Sequence, residues 1–273
     1  MSRGAALVTG GARRLGRAMA LALAGRGLDV AIHYSSSRED AEATAAEARA
    51  LGVKASTHAA DLLDEAALAG LVPAAAQALG RPLTVLVNNA STFDYDNIAS
   101  ATKASWDRNL GTNLRAPFVL TQGFAAQVPP ALDGPDGKRA QGLIVNMLDQ
   151  RVRKLTPEFM SYTIAKMGLW AFTQTAARAL APNVRVNAIG PGSTLKGEHQ
   201  SAAQFDAQRA ASILERGANP ADIVAALLYF LDAPAVTGQL LAVDGGQHLG
   251  WKTPDLMISR AGPSDATGEG FTP

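Results

Sequence analysis

Residues 142–166 read GLIVNMLDQRVRKLTPEFMSYTIAK. The first seven residues are almost entirely apolar, which is typical of a buried strand, and the acid Asp149 follows directly. A basic loop comes next, and the helix predicted after it carries Tyr162 and Lys166. Because four residues make about one helical turn, the phenol and the ammonium are expected on the same helix face. The stretch therefore predicts a strand, a loop and a helix that bring an acid, a phenol and a cation together.

The spacing of Tyr162 and Lys166 indicates acid–base chemistry. An ordinary Tyr has a pKa of about 10 and exchanges protons poorly at neutral pH. A positive charge about 4 Å away contributes roughly 4 kcal/mol at an effective dielectric near 20, which corresponds to about three pKa units. We therefore expect Lys166 to lower the pKa of Tyr162, so that the phenol can act as a general acid. The alternative for this pattern alone is an ordinary helix with a surface Lys.

A Gly-rich turn near the N-terminus supplies a second motif. Ala5–Val8 predicts a short buried strand, and residues 9–16 read TGGARRLG before an Ala- and Leu-rich helix. Between a strand and a helix, such a turn can hold a phosphate, because Gly permits close approach and the helix N-terminus offers free N–H groups. A tight turn with no ligand is the alternative. The cofactor-binding residues predicted in this turn are Gly10, Arg13, Arg14, Leu15 and Gly16.

The end of the second predicted strand, at 28–33, indicates which nicotinamide cofactor is used. In dinucleotide-binding folds an acid at this point binds the ribose 2′-hydroxyl and favours NAD. Here residues 33–38 read HYSSSR, without an acid, and hydroxyls with an Arg suit a 2′-phosphate instead. The run favours NADPH, with a basic solvated loop as the alternative. The cofactor-binding residues predicted here are His33, Tyr34, Ser35 and Arg38.

Further strands and helices alternate along the chain. Strands are predicted at 53–57 and 83–87, and helices at about 38–51 and 64–79. This alternation indicates an α/β fold with a parallel sheet covered on both faces, in which ligands bind at the carboxyl ends of the strands. Phe93, in the loop that follows one of these strand ends, either packs against the protein without a functional role or stacks on a flat heterocycle. The other residues predicted at these ends are Asp61, Leu62, Asn89, Ala90 and Ser91, all as cofactor contacts.

The second half of the chain completes the predicted domain, which spans residues 1–249. The tail at 250–273 is expected to be flexible or to contact another subunit. The helix at about 157–181 is apolar around most of its circumference, so its second face is expected to meet another subunit. The other predicted elements are a helix from about Ser105 that includes Asn113, an exposed loop at 127–140, a strand at 184–189 followed by the cofactor-binding Pro191 and Gly192, a mobile flap at 193–217, a helix at 220–231 and a strand at 239–243.

The composition excludes several function classes. The 273 residues are 47% hydrophobic and 18% charged, which is typical of a soluble protein with a sizeable core. A net charge of +1 predicts no general attraction to nucleic acid or to an anionic membrane. The chain has no Cys, and its four His lack metal-ligand spacing, so no metal site is expected. No apolar run is long enough for a membrane span or typical of a signal peptide, so a cytoplasmic protein is expected.

Together these motifs resemble the short-chain dehydrogenase/reductase family over roughly residues 3–246. The matching positions are Thr9, Gly10, Gly16, Asp61, Asn88, Asn89, Ala90, Asn113, Tyr162, Lys166, Pro191 and Gly192. The resemblance implies a single Rossmann-type doubly wound domain, a seven-stranded, mostly parallel sheet with helices on both faces, hydride transfer from a nicotinamide cofactor, and usually a homotetramer. It also implies that Tyr162 donates the proton, that Lys166 holds the nicotinamide ribose, and that Asn113 positions a proton-relay water.

Two departures from the family pattern narrow the resemblance to the pteridine reductase branch. Arg14 stands where the family usually has the middle Gly of its loop, and Asp149 stands where it usually has a catalytic Ser. In that branch the Arg reaches toward cofactor phosphate and substrate. The branch also matches Ser91 and Phe93, and implies that the aromatic ring stacks on the pterin opposite the nicotinamide. The predicted substrate-binding residues are Arg14, Ser91, Phe93, Asp149 and Tyr162.

The chemistry of Asp149 favours an NADPH-dependent reductase of pterins, of the dihydropterin or dihydrofolate type. A pterin offers a C=N bond and N–H groups, so a carboxylate can accept from them or relay a proton if burial raises its pKa. One alternative is a general carbonyl reductase of a ketone, 3-oxoacyl thioester or sugar, although a carboxylate would repel a forming alkoxide. Another is an inactive or redesigned site. A third is a non-catalytic NADP-binding sensor, which the intact pair of Tyr162 and Lys166 disfavours.

The loop after Asp149 carries three positive charges, on Arg151, Arg153 and Lys154. One hypothesis is that all three attract an anionic substrate tail, such as the glutamate of a folate. The stronger alternative from the sequence alone is a solvated loop.

Overall fold

A computed structural model describes residues 4–197 and 200–251 of the chain. Its main feature is a seven-stranded sheet, beside which lies a separate two-stranded hairpin. The strands in these residues are β1 (Ala5–Val8), β2 (Asp29–Tyr34), β3 (Ala55–Ala59), β4 (Val85–Asn88), β5 (Leu132–Gly134), β6 (Gly137–Arg139), β7 (Gly142–Met147), β8 (Val184–Pro191) and β9 (Leu240–Val243).

Helices connect the strands of the main sheet. Those in the described residues are α1 (Arg14–Gly25), α2 (Arg38–Ala50), α3 (Glu65–Leu79), α4 (Lys103–Leu110), α5 (Ala116–Gln127), α6 (Met160–Ala179), α7 (Ala202–Ala210) and α8 (Pro220–Asp232). A π-helical turn, Gly111–Arg115, joins α4 to α5. None of the described helices combines the length and apolar character that a membrane crossing requires.

The seven strands lie in the order β3-β2-β1-β4-β7-β8-β9, and every neighbouring pair is parallel. The predicted seven-stranded doubly wound sheet is thus confirmed. Val8 pairs with Val87, and Val87 pairs with Val145, so the carboxyl ends of β1, β4 and β7 lie side by side. The chain changes direction across the sheet between β1 and β4, which is where sheets of this kind bind ligands.

The sheet separates two layers of the core. Side chains alternate between the faces of a strand, so Val8 of β1 packs in the layer that contains Leu23 of α1 and Leu227 of α8. Leu7 points to the opposite layer, with Phe124 of α5. Residues of β1, β2, β4 and β7 are buried along their whole length. Burial on both faces explains why these strands read as continuous apolar runs.

Two regions differ from the elements predicted from the sequence. The predicted loop at 127–140 contains the hairpin β5–β6, whose residues are all exposed, so it lacks the buried apolar positions that would have predicted strands. The helix predicted to begin near 157 begins at Met160, because Phe159 has a left-handed backbone conformation. On α6, Ile164 and Met167 are exposed. The predicted subunit contact of this face remains a prediction. Of the predicted tail, residues 252–273 lie outside the described residues.

Candidate active site

The Gly-rich turn after β1 has no room for side chains at two positions. A Cβ on Gly16 would lie 2.0 Å from the carbonyl oxygen of Gly10 and 2.7 Å from Nδ2 of Asn89. Gly10 has a φ of 60°, in the left-handed region that favours Gly. The residue before α1, Arg13, makes no side-chain hydrogen bond to the first N–H groups of this helix, which begins at Arg14. The turn therefore fits the phosphates of a dinucleotide, since uncapped N–H groups at a helix N-terminus bind anions.

Thr9 joins this turn to the end of β4. Its Oγ1 accepts hydrogen bonds from the backbone N–H of Asn89 at 2.9 Å and of Ala90 at 3.0 Å. In return, Nδ2 of Asn89 donates to the carbonyl oxygens of Thr9 at 2.9 Å and of Gly10 at 3.1 Å. The predicted cofactor residues of the two strands are thereby brought together at the point where the strand order reverses.

His33 and Tyr34 support the turn instead of presenting side chains to a ligand. The Nδ1 atom of His33 accepts from the N–H of Gly10 at 3.1 Å, so Nε2 carries the proton and donates to the carbonyl oxygen of Ala60 at 3.1 Å. Burial lowers the pKa of His33, which keeps the ring neutral. Tyr34 is buried in the core. Because both rings are engaged within the protein, the cofactor contacts predicted at these two residues would involve their backbone, and they remain predictions.

The exposed residues after β2 remain candidates for binding a 2′-phosphate. Ser35 and Arg38 are exposed, as is Arg13 in the neighbouring turn. The Nε atom of Arg13 lies 3.6 Å from Oδ2 of Asp40, an acid that sequence analysis did not connect with this site. An exposed ion pair of this kind is weak, so Arg13 can exchange its partner for a phosphate at little cost.

The remaining predicted cofactor residues near these strands differ in how they are placed. Leu15 is half-buried against the core, and Leu62 is buried, so its side chain is not available. Asp61 is exposed, and its Oδ1 accepts from the N–H of Leu63 at 2.9 Å. Asp61 therefore closes the turn after β3 and keeps a second carboxylate oxygen for other partners.

Arg14 contacts the segment that was predicted to be a mobile flap. Its Nη2 atom donates to the carbonyl oxygens of Lys196 at 3.0 Å and of Leu195 at 3.5 Å. Within the segment, Arg209 donates from Nη1 to the carbonyl oxygens of Ser193 and Ala218. This contact anchors the flap to the Gly-rich turn, and the predicted reach of Arg14 toward phosphate and substrate remains a prediction.

Gly192 allows the chain after β8 to approach the end of the sheet. Its N–H donates to the carbonyl oxygen of Val243 at 3.1 Å. A Cβ at this position would lie 2.6 Å from Cβ of Asp244 and 2.7 Å from Oε1 of Gln247. Pro191 ends β8 just before this contact. The pair therefore lies at the carboxyl edge of the sheet, and its cofactor contacts remain a prediction.

Tyr162 and Asp149 form a direct hydrogen bond. The Tyr162 hydroxyl donates to Oδ2 of Asp149 at 3.0 Å, and Oδ1 of Asp149 accepts from the N–H of Arg151 at 2.8 Å. Tyr162 is buried near the N-terminus of α6, and Asp149 follows β7 directly. The strand and helix quoted at the outset thus bring the acid and the phenol together, as their sequence predicted.

The pKa values of this pair correct one expectation. Burial, followed by the negative charge of Asp149 and its hydrogen bond, raises the pKa of Tyr162 well above 10. Burial also raises the pKa of Asp149, against the opposing effects of Arg151, Tyr162 and Lys166. The prediction that Lys166 lowers the pKa of Tyr162 is therefore wrong for the arrangement described. The phenol is held protonated, which is the form that a proton donor requires.

Lys166 lies beneath the phenol, and its ammonium group does not contact the hydroxyl. Its Nζ atom donates to the carbonyl oxygen of Met147 at 2.8 Å and lies 5.5 Å from the centroid of the Tyr162 ring. Burial lowers the pKa of Lys166 to about 8, with Asp149 acting in the opposite direction. The buried ammonium is therefore positioned to stabilise negative charge on the phenol after proton donation.

Asn113 lies in the π-helical turn and holds the loop after β4. Its Nδ2 donates to the carbonyl oxygen of Thr92 at 3.1 Å, and its Oδ1 accepts from the hydroxyl of Ser91 at 2.6 Å. π-Helical turns occur frequently at functional sites. The side chain is buried, so sequence reasoning that places a mid-helix Asn toward solvent does not apply. The predicted role in a proton relay remains a prediction.

Phe93 stacks on a residue that sequence analysis missed. Its ring centroid lies 4.1 Å from that of Phe159, with 7° between the ring planes, and 4.7 Å from that of Tyr162 in an edge arrangement. Tyr95 meets Phe159 edge-on at 5.2 Å. Phe159 directly precedes α6. Its position three residues before Tyr162 is the sequence feature that could have indicated a place in the site. Phe93, Phe159 and Tyr95 form an aromatic group that lies next to Tyr162, the proposed proton donor.

Asp96 is a second residue that sequence analysis missed. Its Oδ1 accepts from the N–H of Ser161 at 3.0 Å, and its Oδ2 accepts a short hydrogen bond from the Ser161 hydroxyl. Asn109 donates to the same hydroxyl at 2.8 Å. Burial alone would raise the pKa of Asp96, but these bonds lower it below its ordinary value. Because Ser161 precedes Tyr162, Asp96 connects the loop after β4 to the start of α6.

Replacing Asp96 with Ala is expected to destabilise the fold by about 2–4 kcal/mol, because the buried donors of Ser161 would lose their acceptors. Asp96→Asn keeps one carbonyl acceptor, so its stability is expected to lie between that of the Asp96→Ala variant and that of the wild type. Thermal unfolding at a fixed protein concentration measures the effect. Equal stability of the Ala variant and the wild type would show that these bonds contribute little.

The three basic residues after Asp149 point to different places. Arg153 donates to the carbonyl oxygen of Leu240 at 3.0 Å, and Nζ of Lys154 lies 3.4 Å from the carbonyl oxygen of Gly250. The guanidinium carbon of Arg151 instead lies 4.9 Å from the centroid of the Phe159 ring. Only Arg151 of the three therefore lies at the aromatic group, which corrects the view of the loop as one uniform basic patch.

Comparison with known proteins agrees with this geometry. A family model described as short chain dehydrogenase matches residues 4–206. The chain belongs to the short-chain dehydrogenase family. An uncharacterized oxidoreductase from Mycobacterium tuberculosis is 38% identical to it, over 92% of this chain and 95% of that protein. A 3-oxoacyl-[acyl-carrier-protein] reductase, FabG, from Staphylococcus aureus is 30% identical, over 89% and 98%.

Among solved structures, one is similar over nearly the whole chain. It is FolM alternative dihydrofolate reductase 1 from Brucella suis in complex with NADP. The two chains are 41% identical and superpose with a TM-score of 0.86, over 93% of this chain and 98% of that one. The family membership and the parallel fold are thus established together.

Proposed function

We propose that this short-chain dehydrogenase is an NADPH-dependent reductase that transfers a hydride to a dihydropterin or a dihydrofolate. The observation that carries the proposal is the 3.0 Å hydrogen bond between the Tyr162 hydroxyl and the Asp149 carboxyl, beside the ring of Phe93. An acid paired with the proton donor suits a substrate with N–H groups better than a ketone. The 41% identity to a structure named as a dihydrofolate reductase supports the same substrate class.

The chain offers a fitting site for the cofactor. Gly10, Gly16 and the uncapped start of α1 would hold its phosphates, and exposed Ser35 and Arg38 would contact a 2′-phosphate. NADPH supplies the hydride when it is bound. The NADP in the similar FolM structure supports this cofactor over NADH.

Tyr162 and Asp149 have different roles at the substrate. Reduction of a C=N bond adds a hydride to carbon and a proton to nitrogen, and Tyr162 donates that proton. Its raised pKa keeps the hydroxyl protonated at neutral pH. Ionised Asp149 accepts hydrogen bonds from N–H groups of the substrate and orients the ring. Lys166, 5.5 Å from the phenol ring centroid, stabilises the negative charge left on Tyr162.

A 3-oxoacyl thioester reductase is the second candidate. The 30% identity to 3-oxoacyl-[acyl-carrier-protein] reductases of Staphylococcus aureus favours it. The position of Asp149 opposes it, because a carboxylate close to Tyr162 would repel the alkoxide that forms when a ketone accepts a hydride.

We also propose a homotetramer, supported by the exposed apolar side chains of Trp106, Phe118 and Ile164.

NADPH oxidation with a small panel of substrates tests the proposed function. The panel contains biopterin, dihydrobiopterin, dihydromonapterin, dihydrofolate and a 3-oxoacyl thioester. For at least one dihydropterin or dihydrofolate, kcat/KM is expected to exceed that of the thioester by about 100-fold or more, because charged hydrogen bonds to N–H groups distinguish the two. Turnover of the thioester alone would overturn the proposal. Equal rates with NADH and NADPH would overturn the choice of cofactor.

A further inference from the structure

The aromatic group beside Tyr162 extends away from the proton donor toward the surface. Phe93 and Phe159 form a parallel pair with centroids 4.1 Å apart, and Tyr95 closes the outer end edge-on. Phe93 is 52% exposed and Tyr95 is 55% exposed. A flat group that enters the site therefore meets aromatic surface before it reaches Tyr162, in the geometry that aromatic stacking requires.

Phe159 has a strained backbone. Its φ is 55° and its ψ is 50°, a left-handed conformation that is uncommon for a residue with a large side chain. Such conformations cost of the order of 1–3 kcal/mol and cluster at ligand-binding sites, where the surrounding structure holds them. Here the conformation directs the ring onto Phe93 while the backbone starts α6. A purely structural helix start would not require it, since an extended residue can precede a helix.

Arg151 lies next to this aromatic pair, and its charge also opposes the rise that burial causes in the pKa of the nearby Asp149. Its Cζ atom is 4.9 Å from the centroid of Phe159 and 5.8 Å from that of Phe93. The hydrogen bond of its guanidinium goes to the neutral hydroxyl of Thr156 at 2.9 Å. Within the part of the chain that is described, no ion pair of 4.0 Å or less joins this guanidinium to a carboxylate. A planar guanidinium in this setting can bind a carboxylate in two-point fashion while it remains against a ring.

We propose that Phe159 and Arg151 bind the part of the substrate beyond the ring that is reduced, and that this part is an aromatic ring bearing a carboxylate. The aromatic ring stacks on the Phe93–Phe159 pair, and the carboxylate pairs with the guanidinium. The benzoylglutamate tail of dihydrofolate has this chemistry, whereas the short hydroxylated chain of dihydrobiopterin has neither group. The proposal rests on the proposed pterin reduction and specifies its substrate.

Two neighbouring cations provide a comparison within the same loop. Arg153 and Lys154 lie near the carbonyl oxygens of Leu240 and Gly250, and neither has a ring contact among the described residues. If a substrate were attracted only by the general positive charge of the loop, removal of any one cation would have the same effect. If Arg151 forms a site with Phe159, only its removal changes the choice of substrate.

The ratio of kcat/KM for dihydrofolate to that for dihydrobiopterin tests the proposal. Arg151 lies close to Asp149, so its removal can also alter the chemical step, but such an effect is common to both substrates and cancels in the ratio. Arg151→Met is expected to lower the ratio by about 10- to 100-fold, as for loss of a charged hydrogen bond. Phe159→Leu is expected to lower it by about 2- to 10-fold, as for loss of an aromatic pair. Arg153→Met is the matched control and is expected to leave the ratio unchanged.

The outcomes distinguish failure of the tail site alone from failure of the proposed function. A ratio in Arg151→Met within twofold of the wild type would overturn the tail site and leave pterin reduction intact. An equal fall of the ratio in Arg151→Met and Arg153→Met would overturn the site and show that the general positive charge of the loop attracts the substrate. If the wild-type enzyme reduces neither dihydrofolate nor dihydrobiopterin, both proposals fail together. Arg151→Lys adds a further check, because it keeps the charge but loses the planar fork, and its ratio is expected to lie between those of Arg151→Met and the wild type.

Discussion

Replacing Tyr162 with Phe is expected to lower kcat by between about 100- and 10,000-fold, the range typical for loss of a general acid. The variant lacks the hydroxyl that donates to Asp149 and, in the proposed mechanism, to the substrate nitrogen. The measurement is NADPH oxidation at saturating concentrations of the best substrate from the panel.

The conservative nature of this change supplies its control. Phe keeps the ring that contacts Phe93 at 4.7 Å, so the shape of the cleft should persist. NADPH affinity, followed by quenching of its fluorescence, is expected to stay within about threefold of the wild type, because the Gly-rich turn is untouched. Undiminished turnover in Tyr162→Phe would contradict the enzymatic reading and favour the NADP-binding sensor.

Replacing Asp149 with Asn is expected to lower kcat/KM for a dihydropterin by about 10- to 100-fold, because an ionised acceptor makes stronger hydrogen bonds to N–H groups than an amide does. The effect also has a pH signature. Burial raises the pKa of Asp149, so the wild-type carboxylate is lost at a higher pH than that of an ordinary Asp. KM for the substrate should therefore rise as pH falls through that raised pKa in the wild type, and this rise should be absent in Asp149→Asn.

Asp149→Ser tests the same position in the opposite direction. It restores the hydroxyl that the family usually has and removes the charge that disfavours an alkoxide. The ratio of kcat/KM for the dihydropterin to that for a 3-oxoacyl thioester is expected to fall by more than about 100-fold. An unchanged ratio, together with an unchanged pH profile in Asp149→Asn, would show that Asp149 does not select the substrate.

Stability separates these effects from misfolding. A carboxyl whose folded pKa is raised stabilises the fold below its unfolded pKa, and this contribution is lost as pH rises through the folded pKa. At neutral pH the ionised Asp149 therefore opposes folding, so Asp149→Asn should unfold at a temperature equal to or above that of the wild type. Loss of activity without loss of stability would then be assigned to the site.

Much of the site was predictable because its signals are local. Gly10 and Gly16 lie between an apolar run and a helix, and the four-residue spacing of Tyr162 and Lys166 follows from helical geometry alone. By contrast, Asp96 and Ser161 are 65 residues apart and meet through a buried hydrogen bond. Nothing in the residues around Asp96 indicates that partner, so no local pattern could have predicted it.

Three of the predicted cofactor residues have side chains that the fold already engages. His33 and Tyr34 occupy the right stretch for cofactor contacts, yet burial and backbone partners engage their rings. Arg14 is predicted at a phosphate, and one of its guanidinium nitrogens donates to the carbonyl oxygen of Lys196. In each case the sequence specifies which groups are near the site, but long-range packing decides which of their atoms remain free.

The sequence by itself determined the parallel α/β fold and the choice of Tyr162 as the proposed proton donor, because apolar periodicity and helical spacing act over a few neighbouring residues. The tertiary structure alone decided the protonation of that donor. Burial and the charge of Asp149 act through space and raise the pKa of Tyr162, while Lys166 lies beneath the ring and not at the hydroxyl. Desolvation and charge depend on everything that surrounds a group, and residues distant in the chain supply most of those surroundings.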